Sequence, residues 1–125
     1  MTIDPTERWA EGAEELRKRL HPTSTASLWG KDPAPPRGPK KLLDLDRAWY
    51  AQYSAHNLEV ESRLTRKRTL DFFIGWRAGL TAALINSISG VVFDGERYSL
   101  ATEPRAQKSE PRFLRIICWP TGETV

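Results

Sequence analysis

The run Leu70-Asp71-Phe72-Phe73-Ile74-Gly75-Trp76-Arg77-Ala78-Gly79-Leu80-Thr81-Ala82-Ala83-Leu84-Ile85-Asn86-Ser87-Ile88 decides how the rest of the chain is read. No proline interrupts it. At about 100° per residue, Phe72, Phe73, Ile74, Trp76, Leu80, Leu84 and Ile85 cover more than half of a helical circumference, as in the central helix of a core. Gly75, Gly79 and Ala83 align along the opposite edge as a small-xxx-small row, which lets another helix of the fold or a second copy of the chain approach closely. Arg77 falls inside the apolar arc, where an unpaired guanidinium is costly. The helical reading therefore expects a carboxylate such as Asp94 or Glu96 beside it, or a head that snorkels to the edge. Asp71, Arg77 and Asn86 argue against a bilayer span, which needs about 20 predominantly apolar residues.

Upstream, Leu42, Leu45, Trp49, Tyr53, His56, Val60 and Leu64 recur at three- and four-residue steps, a helical seam that predicts one helix from 42 to 89 or two joined near 65–69. Gly90 suits the end of that helix. Pro22, Pro33, Pro35, Pro36 and Pro39, with Gly30 and Gly38, make 21–41 a linker in which Leu28-Trp29 is the one apolar anchor. Pro33-Ala34-Pro35-Pro36 has polyproline-ligand spacing, though a spacer explains it as well. Before the linker, Asp4-Pro5-Thr6-Glu7 is a helix start: an acidic cap, proline at the first position and a carboxylate near the positive dipole end. An amphipathic helix follows from Pro5 to about Leu20, with Trp9, Ala13, Leu16 and Leu20 on one stripe.

Downstream the period changes. Val91-Val92-Phe93, the turn Asp94-Gly95 and Arg97 to Thr102 read as a hairpin, and Arg112 to Trp119 as a strand. That strand puts Leu114, Ile116 and Cys118 on one face and Phe113, Arg115, Ile117 and Trp119 on the other. The expected fold class is α+β: an N-terminal helix, a Pro-rich linker, and a long helix or helix pair packed on a small antiparallel sheet of hairpin plus C-terminal strand. Residues 1–20, 21–41 and 42–125 are the helix, linker and body of a single domain, as 125 residues allow.

The net charge of +3 is central in origin: residues 31–70 carry nine basic and five acidic groups, and the flanking segments nearly balance. Arg63, Arg66, Lys67 and Arg68 form one basic cluster, and Arg105 and Lys108, with Arg112 and Arg115, a second. Together they are candidate phosphate contacts, but Glu59, Glu61, Asp71, Glu103 and Glu110 interleave with them, which favours a solvated face. A helix before a hairpin resembles winged-helix DNA-binding domains, yet Leu70 to Ile88 is too apolar to lie in a groove. His56 and Glu59 have the spacing of one half of a carboxylate metal site, without the second half. Asp94, Glu96, Glu103 and Lys108 resemble nuclease hairpins only faintly, because no apolar strand carries the lysine. The lone Cys118 sits among apolar neighbours as a structural thiol; with no signal peptide opening the sequence, a cytoplasmic location is expected.

No metal or cofactor is expected, and no motif identifies a reaction. The apolar surface exceeds what one small core readily hides, which points to a non-catalytic protein acting by protein–protein contact, with a partner or with itself as a homodimer. Phe113, Arg115, Ile117, Trp119, Gly75, Gly79 and Ala83 are the interface candidates. Nucleic-acid binding through the two basic clusters is the alternative, and a small enzyme with an unrecognised site the second. In composition the chain resembles small arginine-rich accessory or host-modulating proteins of phages and mobile elements.

Overall fold

The computed structural model describes residues 4–32, 38–60 and 63–124. Its elements are α1 (Pro5–Leu20), β1 (Ala26–Lys31), β2 (Pro39–Leu45), β3 (Trp49–Val60), β4 (Arg63–Gly75), α2 (Ala82–Ser87), β5 (Gly90–Phe93), β6 (Glu96–Leu100), β7 (Arg105–Gln107) and β8 (Phe113–Thr124). The strands form one antiparallel sheet in the order β2-β1-β5-β6-β8-β4-β3, with β7 beside β8. Among the described residues strand far outweighs helix, so the expected long helix on a small sheet is overturned: helix and strand are both present, but the sheet dominates.

The helical seam from 42 to 64 and the first part of the core run are β2, β3 and β4. A four-residue step, as from Leu45 to Trp49 to Tyr53, keeps to one face of a strand as well as to one face of a helix, so this spacing does not separate the two periods. In β4, Leu70, Phe72 and Ile74 are buried on one side, while Asp71 and Gly75 are buried and Phe73 half-buried on the other. A strand covered on both faces shows no clean alternation. The turn 46–48 contains neither glycine nor proline; Ala48 itself takes the left-handed conformation, at φ 60°. Only Ala82–Ser87 of the core run is helical, opened by Thr81, whose hydroxyl accepts from the Leu84 amide at 3.2 Å.

The segment read as a linker also contributes structure. β1 pairs with β2 from Ala26↔Leu45 to Lys31↔Pro39, and Leu28 is fully buried. The Pro33–Pro36 motif lies outside the described residues. The Asp94 carboxylate fixes the entry to β1, accepting from the Ser24 hydroxyl at 2.8 Å and the Thr25 amide at 2.9 Å. Asp94 and Gly95 both have positive φ, as a two-residue hairpin turn between β5 and β6 requires.

β2 and β3 stand at opposite ends of the sheet, yet only Asp46, Arg47 and Ala48 join them. Leu45 and Trp49 are therefore at most about 15 Å apart, at 3.8 Å per residue. A flat sheet in this order would hold its edges roughly 29 Å apart at about 4.8 Å per strand, so the sheet must curl. Its concave side encloses the core, in which Phe93 of β5 meets Trp49 of β3 and Phe72 of β4 edge to face at 6.1 and 5.6 Å. Leu80 and Ile88, on either side of α2, are buried in the same core.

α1 packs on the start of β3 and the end of β4. His21, just after it, stacks on Trp49 and places its Nε2 2.8 Å from the Ala51 carbonyl. Midway, Glu14 accepts from the Ala48 amide and from Arg17. Trp9 stacks on Phe113 of β8 at 4.5 Å. Among the described residues no helix is long and apolar enough to cross a membrane.

Two predictions follow from this packing. A Cβ on Gly90 would lie 1.8 Å from the Tyr98 carbonyl oxygen, which accepts from Trp29 Nε1, so Gly90→Ala is expected to destabilise by about 1–3 kcal/mol or more in urea unfolding. Gly12→Ala, with nothing within 4 Å on α1, is expected to stabilise by about 1 kcal/mol. Glu14 supplies the second. Burial alone raises its pKa, but the hydrogen bonds from Arg17 and the Ala48 amide outweigh that and hold it below the ordinary value. A lowered folded pKa gives stability that is full above the ordinary glutamate value and lost as pH falls through the lowered one. Glu14→Gln should cost about 1.5 kcal/mol near neutral pH, with the difference from wild type vanishing in acid.

Candidate functional site

β4 pairs with β8 from Gly75↔Phe113 only as far as Leu70↔Cys118. Beyond that point β4 continues with β3 alone, to Val60↔Arg63, and β8 turns to β6, as far as Glu96↔Thr124. The sheet therefore splits into two ribbons whose facing edges, Arg63 to Thr69 of β4 and Trp119 to Thr124 of β8, have no strand partner on that side among the described residues. Pro120 lies in one of these edges; it lacks an amide proton and is tolerated where the ladder does not need one. Residues 54–60 and 63–69 form an arm that reaches about 20 Å past the last β4–β8 pair.

Arg63, Arg66, Lys67 and Arg68, expected on a helix, are exposed on this arm, and among the described residues none of them forms an ion pair. Two hollows flank the split. One, of about 450 Å³, is lined by Tyr53, Arg68, Leu70, Glu96, Tyr98 and Pro120 on the concave side. The other, of about 420 Å³, is lined by Lys67, Arg68, Trp119 and Pro120. Tyr53 is 72% exposed. Burial and the neighbouring Glu96 push the Tyr98 hydroxyl well above the ordinary tyrosine range, so it stays protonated and donates to Glu96 at 3.3 Å.

A buried carboxylate anchors the arm. Asp71 is 1% exposed, accepts from the Thr69 hydroxyl at 2.9 Å, and lies 3.0 Å from His56 Nε2 and 3.4 Å from an Arg115 guanidinium nitrogen. His56 and Thr69 belong to the arm and Arg115 to β8, so this one group ties the base of the arm to the body. A carboxylate this deep is stable only with such partners.

The other candidate residues are dispersed. Phe113 is covered by Trp9, Ile117 is buried, and only Trp119 lines the split. The small-residue helix edge does not exist. Gly75 is in β4 beneath Ala10, Gly79 faces Leu43 in the following turn, and Ala83 is exposed on α2, because most of the run is not helical. Arg77 meets neither Asp94 nor Glu96; it donates to the Gly75 and Arg47 carbonyls and pairs with Asp46 at 3.4 Å, and burial lowers its pKa. Arg105, across from Arg115, and Lys108 are exposed, while Arg112 lies over the Trp76 ring at 4.2 Å. The Arg105–Arg115 row crosses β4 at Phe73, six residues from Lys67, which sets the two basic clusters about 20 Å apart.

Cys118 is buried, donates to the Leu70 carbonyl at 3.1 Å, and has its pKa pushed well up by burial. No group of three His, Cys, Asp or Glu suited to a metal occurs among the described residues. Residue spacing alone missed the split, Tyr53 and Tyr98; the available signal was Trp119-Pro120, a proline closing an apolar strand and so marking an edge. The chain matches no protein family, no curated protein and no solved structure at a significant level.

Asp71→Ala strips His56, Thr69 and Arg115 of their shared acceptor. It is expected to cost about 1–3 kcal/mol and to speed amide exchange across 54–69 more than in the core strands, as read by hydrogen-exchange mass spectrometry.

Proposed function

We propose that this chain is a non-catalytic binding protein that docks on another protein through the split end of its sheet. The observation that carries this reading is the pair of facing, unpartnered strand edges, flanked by Lys67, Arg68, Tyr53 and Trp119. Unpaired strand edges template pairing with another chain, and a two-stranded ribbon standing alone is marginal until something packs on it.

Nucleic acid is the less favoured partner. The two basic clusters do not form one surface, and in the second Arg112 and Arg115 are engaged with Trp76, Phe73 and Asp71. The compositional resemblance to accessory proteins of phages and mobile elements suits a small protein whose work is docking, and a lone buried thiol suits the reducing cytoplasm. A second copy of the chain is one candidate partner, although the helix edge that suggested a homodimer is gone.

The test is capture on the immobilised full-length chain beside Arg66→Ala/Lys67→Ala/Arg68→Ala, with circular dichroism confirming that the variant folds. Protein partners retained by the wild type and lost with the triple variant are the expected outcome, and sedimentation of both chains reads self-association. Duplex DNA or RNA bound at about 0.15 M salt and released by the same substitutions would overturn the protein reading.

A further inference from the structure

Resting on that reading, we propose that the split accepts an extended acidic segment of a partner protein, added as a strand to the free edge of β4. Three observations combine. First, two other edges of the sheet are covered in part: Glu14 holds the Ala48 amide and His21 the Ala51 carbonyl at the start of β3, and exposed Pro39, Lys40 and Lys41 blunt β2. Among the described residues the β4 edge from Arg63 to Thr69 has no strand beside it on its β8 side, and neither has the β8 edge opposite it.

Second, the side chains beside this edge are cationic. Arg66, Lys67 and Arg68 are exposed and unpaired among the described residues, and opposite charges across neighbouring strands favour pairing. An acidic segment brings complementary charge without breaking any internal ion pair. Third, the hollows lie on both sides of the split and share Arg68 and Pro120. A strand points successive side chains to opposite faces. One set would meet Tyr53, Leu70 and Tyr98, and the other Lys67 and Trp119, so the segment alternates acidic with apolar residues. Backbone hydrogen bonds supply affinity in this mode, and the alternate side chains specificity.

The probe is a fluorescein-labelled peptide of about seven residues alternating glutamate and valine, matched in length to the free edge and titrated against the full chain. Comparison peptides replace glutamate by lysine, or carry N-methyl groups on one or the other alternate set of amides. The Glu-Val peptide is expected to bind and to slow amide exchange across 63–69. At least one N-methylated version should weaken it by about tenfold or more, as should Lys67→Glu/Arg68→Glu. Lys67→Gln/Arg68→Gln, a milder change at exposed positions, should give an intermediate loss and guards against a fold defect.

Equal affinity for all N-methylated versions would overturn strand addition while leaving protein docking standing. Lysine peptides binding as well as glutamate peptides would overturn the acidic assignment. An oligomer in sedimentation that the charge reversal dissolves would make the occupant a second copy and overturn a distinct partner. Duplex nucleic acid displacing the peptide at about 0.15 M salt would overturn this proposal and the protein reading together.

Discussion

The architecture depends on the three-residue link between β2 and β3. A chain that must pass from one edge of the sheet to the other through Asp46, Arg47 and Ala48 leaves the sheet no choice but to curl. The polar groups of this link are correspondingly well held. The Ala48 amide is taken by Glu14, its carbonyl accepts from the Gly75 amide at 2.7 Å, and the Arg47 carbonyl accepts from Arg77. α1, the end of β4 and Arg77 just beyond it all converge on one turn. Arg77, which looked like a stray charge in an apolar helix, is one of the groups that keep the turn in its left-handed conformation.

Curling the sheet also produces the split. β8 lies between β4 on one side and β7 and then β6 on the other, and it cannot follow both β4 and β6 once these diverge. The β3–β4 hairpin is longer than the stretch β8 can match, so its outer half has no third strand among the described residues. Asp71 sits where pairing stops, and its ties to His56, Thr69 and Arg115 mark the boundary between a supported sheet and a ribbon that stands alone.

Elements governed by local chemistry were legible in the sequence. α1 begins where Asp4 and Pro5 put it, with the Asp4 carboxylate accepting from the Thr6 amide at 2.7 Å. The Asp94-Gly95 turn and the strand around Leu114 to Cys118 depend on equally local signals. β2 to β4 were not legible. Trp49 and Tyr53 fit both periods, Phe72-Phe73-Ile74 is apolar on both faces, and the turn before β3 uses alanine where glycine would have signalled it. The basic residues and Trp119 could be picked out singly, but the split that brings Lys67, Arg68 and Trp119 together depends on where β4–β8 pairing stops, which no single segment encodes.

The cations fall into two populations, and the division bears on function. Arg17, Arg77, Arg97, Arg112 and Arg115 are each half-buried and engaged with a carboxylate or an aromatic ring. Removing them from those partners to meet a ligand would cost the contacts already made. Arg63, Arg66, Lys67 and Arg68 have no such contacts among the described residues, and the strand that bears them has an unpaired backbone edge. An incoming strand would meet cations that pair with no carboxylate among the described residues, so the new contacts would break no ion pair described there. In the proposed mode the non-directional part of the interaction would come from Leu70 and Tyr98 in one hollow and Trp119 in the other. A surface that can be covered without breaking an internal ion pair suits a small domain, since folded domains are marginally stable and each lost contact is a sizeable fraction of the whole.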